Sequence, residues 1–156
     1  MKKVVFICRG NVIRSQICKA FYNKLSADGS FADSFGTGAL KDGNEGIEIG
    51  SIKYLSGLVK AMQRYGLDIS HEKPKQLKED SIKDANKIIF MGLPERIPEW
   101  MNKYNYEYWE DCLNGPEINK KFNINSESSF GDAEDIEDTI NFLETKVKNL
   151  IKTNPR

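Results

Sequence analysis

The sequence predicts an α/β fold, a single domain in which a four-stranded, parallel, doubly wound sheet is flanked by helices. Three observations carry this reading. Short apolar runs, the pattern of strands buried on both faces, alternate along the chain with stretches of helical periodicity. The length, 156 residues, suits one hydrophobic core. No internal repeat or linker-like segment divides the chain, so residues 1–156 are expected to form one domain.

The first strand is expected at residues 4–7, where Val4, Val5, Phe6 and Ile7 run without interruption. Ile17, Ala20, Phe21 and Leu25 then repeat at helical spacing, and Asp28, Gly29 and Ser30 end that helix. A second strand is expected at 31–35, closed by Gly36, Thr37 and Gly38. Residues 41–50 read as a glycine-rich loop. Ser51 is placed to cap a helix carrying Ile52, Leu55, Val59 and Met62 on one face and stopped at Gly66. A short extended piece at 67–70 and a polar helical turn at 81–85 follow. Residues 87–91 form the third strand, 95–103 a further helical turn, and 106–109 an edge strand. Residues 114–129, rich in Asn and Ser, read as loop. The clearest periodicity comes last: Ile136, Ile140, Leu143, Val147 and Leu150 make one apolar stripe on a closing helix. Acidic residues at 132–138 suit that helix's N-terminal dipole.

In parallel sheets the reactive site lies where strands end and helices begin. The first such junction reads CRGNVIRS, residues 8–15. Successive backbone N–H groups in such a turn form an anion-binding nest at a helix N-terminus. Gly10 permits close backbone approach, and Asn11 tolerates a left-handed conformation. Arg14 supplies a planar fork that grips a tetrahedral oxyanion. Cys8, at the floor of the nest, sees N–H dipoles, a helix end and a guanidinium, all of which favour a negatively charged sulfur. Ser15 can donate to that sulfur. The expected object is a nucleophile aimed at a bound tetrahedral anion, with Arg9, Gly10, Asn11, Val12, Ile13 and Ser15 around it.

Other function classes are disfavoured. Basic and acidic residues balance at 23 each, so nothing points to nucleic acid or an anionic membrane. The apolar run after Lys3 is too short for a signal peptide, and no stretch has transmembrane length, so the chain is expected to be cytoplasmic. Three cysteines (Cys8, Cys18, Cys112) and one histidine, His71, offer neither a disulfide framework nor a structural zinc site; no metal is expected.

The loop is similar to the C-x-G-N-x-x-R-S loop of the low-molecular-weight protein tyrosine phosphatase superfamily, which includes thioredoxin-coupled arsenate reductases. DSFGTGA at 33–39, YGLDISHEKPKQLKED at 65–80 and ANKIIFMG at 85–92 resemble successive family segments, so the resemblance runs along essentially the whole chain. It implies a phosphate loop after the first strand and a phosphomonoesterase working through a cysteinyl-phosphate, without a cofactor. It also implies a phosphorylated protein, a small aryl phosphate or an inorganic oxyanion as partner. Cys8 and Arg14 take the family's catalytic positions. Asp111 in WEDCLNG matches the general acid, although Cys112 stands where the family usually has proline. Asp132 is the alternative acid. His71 lies one place before the slot of a family histidine that supports the loop asparagine, a slot filled here by Glu72. Tyr104, Tyr106, Tyr108 and Trp109 either line a cleft or pack on the core.

The branch is less uniform. Gln16 after Ser15 resembles the reductases, as do YEYWED at 106–111 and the final helix. Reductases of this type use two relay cysteines after the family's fourth-strand segment, matched here by residues 85–92; Leu93 and Ile97 of MGLPERIP occupy those positions. Ile13 replaces the second loop cysteine frequent in the phosphatases. Two alternatives therefore stay open beside phosphate-ester hydrolysis: an arsenate reductase using an external thiol, and a catalytically impaired phosphate-binding module.

Overall fold

The structure, a computed structural model, describes residues 2–110, 112 and 133–153. The chain runs β1 (Lys3–Cys8), α1 (Arg14–Leu25), β2 (Phe31–Gly36), α2 (Ser56–Gln63), α3 (Glu79–Ile82), β3 (Lys87–Phe90), β4 (Glu107–Tyr108) and α4 (Ala133–Thr153). Short 3-10 turns at Ile49–Ser51, Lys53–Leu55, Pro94–Arg96 and Glu99–Lys103 join them. The four strands form one parallel sheet in the order β2-β1-β3-β4.

β1 is the central strand because it is apolar on both faces. Val4, Phe6 and Cys8 point to one side, where they meet Ala32, Ile89 and Met91 of the sheet and the apolar faces of α1, α2 and α4. Val5 and Ile7 point to the other, where Phe35, Ile88 and Phe90 pack with Leu77, Ile82 and Met101. This alternation is the strand period of two, and it makes the sheet doubly wound. Phe6 is fully buried, its ring 6.2 Å from Tyr22 and 6.0 Å from Trp109. The stripe on α4 is buried throughout, from Ile136 to Leu150. Among the described residues no helix is long and apolar enough to cross a membrane.

Three expectations change. Ser51 does not cap a helix: it lies in a 3-10 turn, its hydroxyl donating to the Glu48 carbonyl at 2.7 Å, and α2 starts only at Ser56. The expected turn at 81–85 begins earlier, at Glu79. Residues 95–103 form two 3-10 turns separated by Pro98, a residue that cannot supply an interior helical N–H. The loop at 114–129 lies outside the described residues.

The register brings Cys8 beside Gly36 at the carboxyl ends of β1 and β2. Just beyond, Gly36 pairs with Gln76 in an isolated parallel bridge, its N–H donating to the Lys75 carbonyl at 2.8 Å. Segment 75–77 thereby closes one flank of the strand-to-helix junction. Truncation of Phe6 to alanine is expected to lower the free energy of unfolding by about 3–5 kcal/mol, read by urea denaturation; a loss below about 1 kcal/mol would contradict this account of the core.

Candidate active site

β1 ends on Cys8 because its last side chain still faces the core, where the thiol is 2% exposed. The backbone then leaves the sheet, and α1 begins at Arg14 with no side chain capping its N-terminus. Uncapped first-turn N–H groups suit an incoming anion. Among the described residues, two hydrogen-bonding groups address the sulfur. The Asn11 backbone N–H donates to Cys8 Sγ at 3.3 Å, and Ser15 Oγ lies 3.0 Å from it. Ser15 Oγ already accepts a hydrogen bond from Asn11 Nδ2 at 2.8 Å, so its own proton is free to point at sulfur.

Asn11 holds the turn. Among the described residues it is the one non-glycine with positive φ, at 56°. It is fully buried and its side chain is fully used. Nδ2 donates to Ser15 Oγ and to Ser34 Oγ on β2, both at 2.8 Å. Oδ1 accepts the Lys75 backbone N–H at 2.8 Å and lies 3.3 Å from Gln16 Nε2. His71 does not take the supporting role weighed for it: its side chain is 81% exposed and pairs with Glu48 at 3.1 Å, which raises its pKa. Glu72, in the expected slot, pairs with Lys19.

The close backbone approach expected at Gly10 falls at Gly36 instead. A Cβ on Gly10 would make only ordinary contacts, the nearest 3.4 Å from Val12. A Cβ on Gly36 would lie 2.6 Å from the Arg9 carbonyl oxygen and 2.9 Å from the Asn11 nitrogen, both backbone atoms. The loop therefore runs directly over the end of β2.

Arg14 is 8% exposed. Its Nη1 donates to the Cys112 carbonyl at 2.8 Å and the Met91 carbonyl at 3.3 Å, so backbone beyond β4 and at the end of β3 steadies the guanidinium. Arg9 turns outward to Asp42, with Nη2 3.0 Å and Nε 3.3 Å from its carboxylate oxygens. Val12 packs in the core and Ile13 against it. Asp111 and Asp132 lie outside the described residues. Tyr104, Tyr106 and Tyr108 pack against the second core face, and Trp109 is buried against Phe6. Cys18 is buried, its thiol 3.9 Å from Met91 Sδ; burial first, then Cys112 and Cys8, push its pKa well up. Among the described residues no group of three His, Cys, Asp or Glu side chains is placed to hold a metal ion.

Sequence reasoning missed Ser34, the Lys75 N–H, the two carbonyls behind Arg14 and the crowding at Gly36. Only Ser34 left a signal, as a polar side chain inside a strand.

No family model matches the chain. A low molecular weight phosphotyrosine protein phosphatase of Homo sapiens is 33% identical over 79 residues, 51% of this chain and 48% of that protein. The chain thus matches about half the length of this curated relative. A glutaredoxin arsenate reductase of Synechocystis sp. is 27% identical over 115 residues, covering 70% of this chain and 76% of that protein. Among solved structures, the low molecular weight protein tyrosine phosphatase from Streptococcus pyogenes superposes with a TM-score of 0.69 at 19% identity, covering 100% of this chain and 95% of that one. An arsenate reductase in the reduced state gives 0.65 at 22% identity, over 99% and 100% of the two chains. The chain has the fold these phosphatases and arsenate reductases share.

Replacing Asn11 tests the turn directly. Asn11→Ala is expected to destabilise the protein by about 2–4 kcal/mol, losing the buried hydrogen bonds and straining a left-handed residue. Asn11→Gly loses the same bonds without the strain, so it is expected to remain about 1 kcal/mol more stable than the alanine variant. Equal denaturation midpoints for the two would contradict a left-handed Asn11.

Proposed function

We propose that the chain is a phosphomonoesterase of the protein-tyrosine-phosphatase type, working through a cysteinyl-phosphate. The observation that carries this reading is the Cys8 sulfur under the Asn11 N–H and the Ser15 hydroxyl, with Arg14 braced at the other end of the same loop. In this scheme the Cys8 thiolate attacks phosphorus in line with the leaving oxygen. The amides of residues 9–14 and the Arg14 fork hold the equatorial oxygens as negative charge shifts onto them. Asp111 gives its proton to the departing alcohol or phenol. It then takes a proton from the water that attacks the cysteinyl-phosphate, releasing inorganic phosphate and the Cys8 thiolate. The two donors on sulfur serve both halves: they stabilise the thiolate as nucleophile and, in the second half, as leaving group.

The substrate is a phosphorylated protein or a small aryl phosphate, and the chemistry calls for no metal or cofactor. A cytoplasmic location belongs to the same reading, since a reactive free thiol persists best in a reducing compartment.

A second reading is supported by Gln16 and by the similarity to the Synechocystis glutaredoxin arsenate reductase. Here Cys8 takes up arsenate with loss of water, and two external thiols supply the two electrons that release arsenite as they become a disulfide. With Leu93 and Ile97 at those positions, that segment supplies no resolving thiol, and this reading takes the thiols from outside the chain.

Steady-state hydrolysis of p-nitrophenyl phosphate separates these readings. The wild type is expected to turn over, and Cys8→Ser to fall by roughly 10⁴-fold or more while phosphate still binds. A Cys8→Ser variant that continues to release phosphate would defeat the scheme. Arsenite formed from arsenate and added thiol, without aryl phosphate turnover, would select the reductase. Phosphate binding with neither turnover would leave the impaired binding module. In pH profiles of kcat, Asp111→Asn is expected to lose about 10²–10⁴-fold and the limb belonging to the acid. The same loss in Asp132→Asn, with Asp111→Asn unchanged, would move the acid to Asp132.

A further inference from the structure

Gln16 directly follows the CRGNVIRS loop and takes no part in the proposed hydrolysis. It sits in the first turn of α1 and is fully buried. Its Nε2 donates to the Asn11 carbonyl oxygen at 3.0 Å and lies 3.3 Å from Asn11 Oδ1. Both neighbours are acceptors, so the orientation of the amide is determined: nitrogen toward Asn11, oxygen away. That oxygen, Oε1, is buried with no hydrogen-bond partner among the described residues.

A buried amide oxygen left unsatisfied is costly. Methionine would fill similar space without the orphaned oxygen, but it would leave the buried Asn11 carbonyl without this donor, so for stability alone the two residues nearly balance. What it provides is the bond to the Asn11 carbonyl. In a trans peptide the C=O and the following N–H point in opposite directions. Holding the Asn11 carbonyl toward α1 therefore aims the Val12 N–H away from Gln16. If the carbonyl were released and the Asn11–Val12 peptide turned over, a carbonyl oxygen would stand where an N–H donor had been. In a loop built to receive an oxyanion, that exchange replaces attraction with repulsion.

We propose that Gln16 is a positioning residue that locks the Asn11–Val12 peptide in its anion-receiving orientation, and through Asn11 also fixes the N–H that donates to Cys8 Sγ. This rests on the reading of the loop as an oxyanion site, and on no particular reaction there. It separates affinity from stability, because the same side chain supports the loop and carries an unsatisfied oxygen.

The test measures three quantities on the full chain: phosphate affinity by calorimetry, the rate of Cys8 alkylation by iodoacetamide with Cys8→Ser as control, and the thermal midpoint. Gln16→Met exchanges one unsatisfied buried oxygen for another and is expected to leave the midpoint nearly unchanged, while phosphate affinity falls about tenfold, one hydrogen bond's worth, and alkylation slows with it. Gln16→Glu keeps the shape but, when ionised, offers acceptors to two acceptors, and is expected to lose at least as much affinity. It also supplies a measurable protein if the methionine variant does not fold. Phosphate affinity within twofold of wild type in either folded variant would overturn the proposal. So would affinity and midpoint falling together in both, the mark of a purely structural residue. Failure of the wild type to bind phosphate would overturn this inference and the oxyanion reading together. Phosphate binding without turnover would remove the hydrolase alone.

Discussion

The carboxyl end of the sheet depends on Asn11 holding a backbone conformation that most side chains avoid. A left-handed residue costs roughly 1–2 kcal/mol, less for asparagine than for a branched residue. Four side-chain hydrogen bonds oppose it, to Ser15, Ser34, the Lys75 N–H and Gln16. At about 0.5–1.5 kcal/mol each, they outweigh the strain. The balance favours a turn that brings the Asn11 N–H onto Cys8 Sγ. It also requires asparagine in particular: the side chain must donate twice and accept twice, which an aspartate cannot do and a glycine does not attempt.

That turn is possible only because the surrounding strands leave room. Cys8 and Gly36 are register partners, so the loop leaving β1 passes over the last residue of β2. Any side chain at Gly36 would meet loop backbone rather than a movable side chain. The same glycine pairs with segment 75–77, which delivers the Lys75 N–H to Asn11. Strand register, a missing Cβ and a backbone donor from a distant segment thus converge on one asparagine. On the opposite flank the Met91 and Cys112 carbonyls do the equivalent for Arg14. Anchored on both sides, the loop holds the Cys8 sulfur and the Arg14 guanidinium in fixed relation, the preorganisation that the proposed oxyanion chemistry requires.

The contrast between the apolar strands and the supports of the loop explains what could be read from the sequence. Residues 4–7 and 87–90, and the stripe from Ile136 to Leu150, bury side chains at a regular period, and periodicity is written in residue types. Cys8, Asn11, Arg14 and Ser15 are legible because they are distinctive side chains closely spaced in one turn. The Lys75 N–H and the Met91 and Cys112 carbonyls were not, because a backbone group is present whatever the residue. Gly36 was visible as a turn glycine, but its crowding depends on a register that only the assembled sheet defines. Ser51 misled for a related reason: a serine before an apolar stripe resembles an N-cap, yet here its hydroxyl satisfies the Glu48 carbonyl inside a 3-10 turn.

The placement of the thiols bears most directly on the reaction. Reducing an oxyanion bound at Cys8 requires two electrons and a second nucleophilic sulfur able to reach the adduct. Cys18 is a poor source: it is buried on α1 beside Met91, and burial, reinforced by the nearby cysteines, holds it in the protonated form, which does not attack. Leu93 and Ile97 carry no sulfur, and Ile97 packs with the second core face instead. An internal relay from those positions is therefore ruled out by composition, whereas hydrolysis needs from the chain only a sulfur, an oxyanion cradle and a carboxyl group. The fold is shared by enzymes of both kinds, so the distinction falls on these few side chains. They place no sulfur at either of these two positions, and the proposed hydrolysis needs none there.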